Sequence, residues 1–110
     1  METEVSEIRI IPVKPQQMGD RQKLVAIATC VIDGKLFVGS LGILRRDDGE
    51  YRISYPTKKS DRSELRLFYP INRECGEAIQ RAIVGEYNNL YNSLYGDGFG
   101  TEVFDDFKET

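Results

Sequence analysis

Residues 69–87 read YPINRECGEAIQRAIVGEY and join an apolar strand to an amphipathic helix. Pro70 ends the strand, because proline has no N–H to donate to a β-ladder and biases the preceding residue toward extended backbone. Asn72 can cap the helix by accepting a hydrogen bond from a free N–H of its first turn, where Glu74 also favours the positive end of the helix dipole. The sequence therefore predicts that a helix begins just after Asn72.

The predicted helix has one mainly apolar face. Residues on this face recur at spacings of three and four, which is the period of a helix. They are Ile79, Ala82, Ile83, Glu86, Tyr87, Leu90, Tyr91 and Leu94, whereas Arg73, Glu77, Gln80 and Arg81 fall on the other side. The apolar face is therefore expected to pack against the rest of the domain, and the other face to meet solvent or a partner. The three glycines in residues 96–100 are expected to stop the helix.

Strands precede the helix. Segments 7–13 and 23–32 are rich in β-branched residues. The dipeptide Asp33-Gly34 predicts a type I′ hairpin turn because it tolerates positive φ at both positions, and segment 35–45 is the second arm of that hairpin. Gly39 and Gly42 indicate a bulge, a bend or a close backbone approach. The fold class is thus predicted as α+β: an antiparallel sheet of about five strands, including a β-hairpin, with one long C-terminal helix packed on it.

The last two predicted strands, 51–55 and 65–69, alternate in side-chain character. A strand places successive side chains on opposite faces, so alternate residues share one environment. The set predicted to lie in the core is Tyr51, Ile53, Tyr55, Leu65, Leu67 and Tyr69.

Three segments occur in the order in which they occur in the SpoVG family, the small bacterial proteins named for sporulation and septation. Residues 24–43, LVAIATCVIDGKLFVGSLGI, resemble the family's two-strand hairpin, and residues 55–62, YPTKKSDR, resemble its Met-Pro-Ser-(Lys/Arg)-(Lys/Arg) segment. The third segment is the PIN corner with the helix that ends in Glu-Tyr. The resemblance implies residues 1–95 as a SpoVG-like domain, followed by an acidic C-terminal tail at residues 96–110.

Positive charge is concentrated in the middle of the chain. The net charge is −3, yet residues 1–7 carry −3 and residues 96–110 carry −4, so residues 8–95 carry +4. Residues 52–73 alone carry +4, and the loop TKKSDRS at 57–63 offers lysine, arginine and hydroxyl side chains of the kinds that contact phosphate. Such a loop is more often simply solvated.

The resemblance to the SpoVG family favours nucleic-acid binding by this loop, because members are regarded as regulators that bind DNA and RNA and form homodimers. The lysine pair after the strand-ending proline, here Lys58 and Lys59, is tied to binding, and Arg73 and Arg81 are suggested as flanking contacts. The predicted nucleic-acid-binding residues are Lys58, Lys59, Arg62, Arg66 and Arg73. The alternative is a protein-interaction module in division or stress regulation, acting through a sheet edge or the acidic tail.

Some positions depart from the family pattern. Gly76 stands where relatives commonly have arginine, Arg52 replaces a phenylalanine, and Val25, Gly39 and Gly42 replace lysines usual in the hairpin. We therefore expect weaker or more selective binding than in relatives.

Catalytic function is not expected. The chain has no histidine, which removes Ser-His and Cys-His nucleophile schemes and most zinc sites, and it has no glycine-rich phosphate loop in the required context. Neither a metal nor a cofactor nor a small-molecule substrate is predicted. Cys30 and Cys75 are expected to remain thiols. The absence of a long apolar run predicts a cytoplasmic protein with no membrane partner.

The tail at residues 96–110 allows two interpretations. It is either a solvated terminus, or it docks through Val103, Phe104 and Phe107 with its acidic residues over the basic loop.

Overall fold

A computed structural model describes residues 2–95, which form six strands followed by one helix. The strands are β1 (Val5–Gln17), β2 (Gln22–Ile32), β3 (Leu36–Arg46), β4 (Tyr51–Ser54), β5 (Thr57–Lys59) and β6 (Glu64–Arg66), and the helix is α1 (Arg73–Tyr95). The expected α+β class is confirmed. The strands divide into an antiparallel sheet of order β1-β2-β3-β4 and a separate antiparallel pair, β5-β6.

The turn between β2 and β3 is the one that Asp33-Gly34 predicts. Asp33 and Gly34 have φ of 54° and 66°, and the Lys35 N–H donates to the Ile32 carbonyl at 2.9 Å. Asp33 has a second role, because its side-chain Oδ1 accepts a hydrogen bond from the Glu4 N–H at 2.9 Å. The turn therefore also holds the start of β1 against the sheet.

The predicted irregularity of β3 is also present. The pairing of β2 with β3 shifts between Ala28 and Cys30, opposite Gly39 and Ser40, and Ser40 has a φ of 58°. At Gly42 a Cβ atom would meet Leu24 Cδ1 at 3.0 Å, so the missing side chain permits close packing of Leu24 over β3. Gly42 thus marks a close approach and Gly39 lies in a bulge.

The core lies between the β1–β4 sheet and α1. Alternate residues of β2 point into it, and Ala26, Ala28 and Cys30 are fully buried. From the helix, Ile79 and Ile83 pack on the same cluster, as the apolar stripe predicted. The Cys75 N–H donates to Asn72 Oδ1 at 2.8 Å, which confirms the predicted cap. Cys30 and Cys75 are free thiols.

The prediction for residues 65–69 is wrong. Leu65 and Leu67 are both 58% exposed and Tyr69 is 47% exposed, and the regular strand ends at Arg66. The short strand β6 pairs with β5 and not with the β1–β4 sheet, so its alternating side chains have no second layer to pack against. In β4, by contrast, Ile53 is buried and Tyr51 packs against the core as predicted.

The face of the β1–β4 sheet opposite α1 carries apolar side chains that remain partly or largely exposed. Pairing places Arg9 opposite Thr29, Ile11 opposite Ile27 and Phe37 opposite Val31, all on this outer face. Phe37 is 70% exposed and Ile11 is 57% exposed. Within residues 2–95, no helix is long and apolar enough to cross a membrane.

Candidate nucleic-acid interface

The loop that sequence analysis singled out is a small β-hairpin. Strand β5 pairs with β6 so that Thr57 lies opposite Arg66, Lys58 opposite Leu65 and Lys59 opposite Glu64. The turn is closed by the Ser60 N–H, which donates to the Ser63 carbonyl at 2.8 Å. At the other end the Leu67 N–H donates to the Pro56 carbonyl at 3.0 Å. The hairpin is therefore a defined structure that assigns Lys58, Lys59 and Arg66 to its two faces.

The two predicted lysines point to opposite faces of this hairpin. Neighbouring residues of a strand alternate between faces, and directly paired residues share one. Lys59 therefore shares a face with Thr57, Glu64 and Arg66, whereas Lys58 shares the other face with Leu65. The hydrogen bond from Thr57 Oγ1 to Glu64 Oε2, at 3.2 Å, agrees with this assignment. We call the first face the Lys59–Arg66 face.

The Thr57 and Ser60 hydroxyl groups, which the sequence suggested as phosphate contacts, form hydrogen bonds inside the hairpin. Thr57 donates to Glu64, and Ser60 Oγ donates to the Ser63 carbonyl at 3.0 Å. Ser60 Oγ also accepts from the Ser63 N–H at 3.3 Å. These side chains stabilise the turn, so the cations carry the potential for phosphate contact.

An exposed aromatic side chain accompanies the Lys59–Arg66 face. The Arg66 guanidinium carbon lies 4.8 Å from the centre of the Tyr69 ring, which is the arrangement of a cation–π contact. Next to it in sequence, Phe68 makes an edge-to-face contact with Tyr55 at 6.4 Å between ring centres. The alternating pattern of residues 65–69 predicted a core position for Tyr69, whereas the ring is exposed beside Arg66. The sequence signal for this contact is the three-residue spacing of Arg66 and Tyr69, directly after the short strand β6.

The remaining predicted residues lie elsewhere. Arg62 is in the exposed hairpin turn. Arg73 begins α1, where its Nε lies 3.7 Å from Glu77 Oε2 one turn along the helix. Arg73 borders a cleft of about 810 Å³ between β4 and α1, together with Arg52 and Arg81. The five predicted residues are therefore divided among two hairpin faces, the turn and this cleft.

Tyr55 connects the hairpin to the cleft. Its ring contacts Phe68 and its side chain lines the cleft wall. Burial raises the pKa of Tyr55 to about 12, with smaller contributions from Cys75 and Cys30. The hydroxyl is therefore protonated at neutral pH and can donate a hydrogen bond. Among the described residues, no cluster of cysteine and carboxylate side chains could hold a metal ion.

Comparison with known proteins identifies the family. The model of the SpoVG family matches residues 3–89, which include all six strands and most of α1. The chain belongs to the SpoVG family. The resemblance seen in the three sequence segments is thereby confirmed.

SpoVG relatives match over most of this chain. A protein of Clostridium kluyveri is 28% identical over 86 residues, which cover 77% of this chain and 88% of the relative. A protein of Clostridium novyi is 26% identical, and the match covers 87% of this chain and 96% of the relative. A protein of Symbiobacterium thermophilum is 30% identical, and the match covers 78% of this chain and 61% of the relative. All three are named septation protein SpoVG, a name taken from septation and not from a catalysed reaction.

Proposed function

We propose that this SpoVG-family protein is a non-catalytic regulator that binds nucleic acid through the Lys59–Arg66 face of the β5–β6 hairpin. The observation that carries the proposal is the Arg66 guanidinium stacked over the exposed Tyr69 ring, with Lys59 on the same face. The names of the relatives support a regulatory process connected with septation or sporulation.

This arrangement suits a single strand better than a duplex. Cations neutralise phosphates of either form, but an exposed aromatic ring gains free energy only from a base that is free to stack on it. Tyr69 is exposed beside Arg66, and Lys59 is on the same hairpin face as Arg66, so a strand of DNA or RNA could place a phosphate at Lys59 and a base at the Arg66–Tyr69 pair. We therefore expect single strands to bind more tightly than a duplex of the same sequence.

Fluorescence anisotropy with labelled single-stranded RNA, single-stranded DNA and duplex DNA tests the proposal. Tyr69→Leu should weaken single-strand binding by about 1–3 kcal/mol, which is the usual contribution of a stacked base. Lys59→Ala should also weaken binding, while Lys58→Ala, the same change on the opposite face, should have a smaller effect. The proposal fails if no probe binds at micromolar protein and low salt, or if Lys58→Ala and Lys59→Ala are equivalent.

We also propose that the protein is a homodimer in which a second copy covers the outer face of the β1–β4 sheet. One face of an antiparallel sheet is covered by α1, whereas the outer face exposes Ile11 and Phe37. Within the described residues, strands β1 and β4 are in addition the edges of this sheet, and a second copy could pair with either of them.

Light scattering at micromolar concentration tests the dimer. Phe37→Asp should shift the mass toward that of one chain, because it places a charge in the covered face. Leu36→Asp is the matched control, since Leu36 is similarly exposed but points the other way. A mass of one chain for the wild-type protein would reject the dimer.

A protein-interaction module is the second candidate function. It is favoured by Ile71, which is 89% exposed at the corner before α1, and by Leu67, which is 58% exposed four residues earlier in the chain. Large apolar side chains left exposed in one patch are typical of a surface that contacts another protein. Under this alternative, Ile71→Ser would abolish recovery of a specific protein partner while nucleic-acid binding would be absent in the wild-type protein.

A further inference from the structure

The cleft between β4 and α1 has a composition that the proposed nucleic-acid face does not explain. Three arginines border it, and they come from two elements: Arg52 from β4, and Arg73 and Arg81 from α1. Glu77 is the one acidic residue of the lining, so the cleft carries a net charge of +2. Surface ion pairs usually offset such a group of cations, and within residues 2–95 Arg73 is the one of these three arginines that forms an ion pair, with Glu77.

The side chains of Arg52 and Arg81 form no ion pair or hydrogen bond within the described part of the chain. Both side chains are exposed at the cleft, so they are available to an anion from solution. A guanidinium group matches the geometry of phosphate oxygens and can donate two hydrogen bonds at once. Three such groups around one cleft form a phosphate site of higher charge than either hairpin face.

The floor and walls of the cleft, unlike its arginine-rich border, include apolar side chains. Ile53 is largely buried beneath the cleft, and Pro70 and the Tyr55 ring form part of its wall. Gly76 also lines it, and a Cβ atom there would lie in ordinary contact with Pro70 Cγ, at 3.5 Å. Gln80 links α1 to β4 beside the cleft, because its Nε2 donates a hydrogen bond to the Tyr51 carbonyl of β4 at 3.2 Å.

We propose that this cleft binds a nucleotide. Its phosphate groups contact the three arginines, and its base lies against the apolar wall formed by Ile53, Tyr55 and Pro70. A cleft of about 810 Å³ is within the usual size of small-ligand sites, which are about 300–1,000 Å³. The protonated Tyr55 hydroxyl supplies a hydrogen-bond donor at the same wall. No reaction is implied, and the site does not depend on the hairpin function.

The nucleotide could be free or part of a bound strand, since both present the same phosphate and base. Titration calorimetry with ADP, and with inorganic pyrophosphate as the probe that lacks a base, tests the site. ADP should bind more tightly than pyrophosphate, and ADP binding should weaken as salt is raised. Competition with a short single-stranded oligonucleotide then assigns the source: displacement of ADP indicates a strand running through the cleft, and its absence indicates a free nucleotide. Both results require that ADP binds.

Matched variants make the test specific. Arg81→Gln should weaken ADP binding about tenfold, the effect of losing one charge-assisted hydrogen bond, whereas Arg21→Gln removes the same charge outside the cleft and should have no effect. Glu77→Gln should tighten binding, because it removes the anion beside Arg73, and Glu86→Gln on the same helix should not.

Failure of this site is distinguishable from failure of the hairpin function. Lys59→Ala and Arg66→Ala should leave ADP affinity unchanged, since neither residue lines the cleft. The nucleotide site is rejected if ADP does not bind at millimolar concentration, or if Arg81→Gln and Arg21→Gln have equal effects. Circular dichroism of each variant confirms that these exposed substitutions leave the fold intact.

Discussion

At the scale of single residues, the start of α1 is held by two side-chain contacts. Asn72 Oδ1 accepts from the Cys75 N–H, and Glu74 accepts from both the backbone N–H and the hydroxyl of Thr3, at 2.8 and 2.7 Å. The first contact is local and could be predicted from sequence. The second joins residues 71 positions apart, so no local pattern could indicate it.

Asn72→Ala should lower the free energy of unfolding by about 1 kcal/mol, because it leaves a helix N–H without its cap. Asn72→Asp preserves the accepting oxygen and should retain most of the stability. Urea denaturation followed by circular dichroism measures both. Equal stability of the alanine variant and the wild type would contradict the role of Asn72 as the cap.

Glu74 gives the stability a defined pH dependence. Hydrogen bonds from the Thr3 backbone and then its side chain lower the pKa of Glu74 below its ordinary value of 4.5. A carboxylate with a depressed folded-state pKa stabilises the fold above the unfolded pKa, and this contribution is lost as the pH falls through the folded pKa. The melting temperatures of wild type and Glu74→Gln should thus differ at pH 7 and converge as the pH falls below 4.5.

Glu86→Gln is the control for Glu74, since Glu86 lies on the same helix without a contact to Thr3. The difference in melting temperature between Glu86→Gln and the wild type should not shrink in this pH range as the difference for Glu74→Gln does. A constant difference between wild type and Glu74→Gln from pH 7 to pH 3 would contradict the Thr3–Glu74 contact.

At the scale of elements, sequence patterns predicted what is determined locally. The helix, its cap, the Asp33-Gly34 turn and the irregularity at Gly39 and Gly42 each depend on neighbouring residues, and all are present. The environment of residues 65–69 could not be predicted in this way. Alternation has the same appearance in a core strand and in a short hairpin, and only the pairing partner distinguishes them.

The candidate site was predicted less completely than the fold. The sequence identified the cations, but Lys58 and Lys59 are separated by strand alternation, which becomes evident only once residues 57–59 are known to form a strand. The position of Arg52 and Arg81 at one cleft depends on how β4 and α1 are placed in space. Such long-range arrangements leave no periodic signal.

The helix offers a stability prediction with a definite sign. Gly85 lies in the exposed middle of α1, and a Cβ atom there would meet nothing within 4 Å. Gly85→Ala should therefore raise the free energy of unfolding by up to about 1 kcal/mol. Ile83→Ala, two positions away in the core, should lower it by about 2–5 kcal/mol. Destabilisation by Gly85→Ala in urea denaturation would show that this side of α1 is covered.

At the scale of the whole molecule, charge is separated along the chain. Residues 8–95 carry +4, whereas residues 96–110 carry −4 and lie outside the described residues. The 23-residue helix places its last residue about 34 Å from the corner at Asn72. Fifteen extended residues reach about 50 Å and could still cover that distance.

Deleting residues 96–110 should tighten nucleic-acid binding, because it changes the net charge from −3 to +1. The effect should be larger at low salt, since charges are screened beyond about 8 Å at physiological ionic strength. A full-length control variant separates the effect of charge from that of length. In it, Asn replaces each tail Asp and Gln replaces each tail Glu, at Asp97, Glu102, Asp105, Asp106 and Glu109. Unchanged or weaker binding by the folded truncation would reject competition by the tail and favour a tail that recruits a partner.

The most direct test of the nucleic-acid proposal is the salt dependence of single-strand binding. The logarithm of the binding constant is measured against the logarithm of salt concentration for wild type, Lys59→Ala/Arg66→Ala and Lys58→Ala. Each phosphate contact to a single strand contributes about 0.7 to the slope, so the double variant should lose up to about 1.4 while Lys58→Ala keeps the wild-type slope. A wild-type slope in the double variant would show that the Lys59–Arg66 face does not bind the strand.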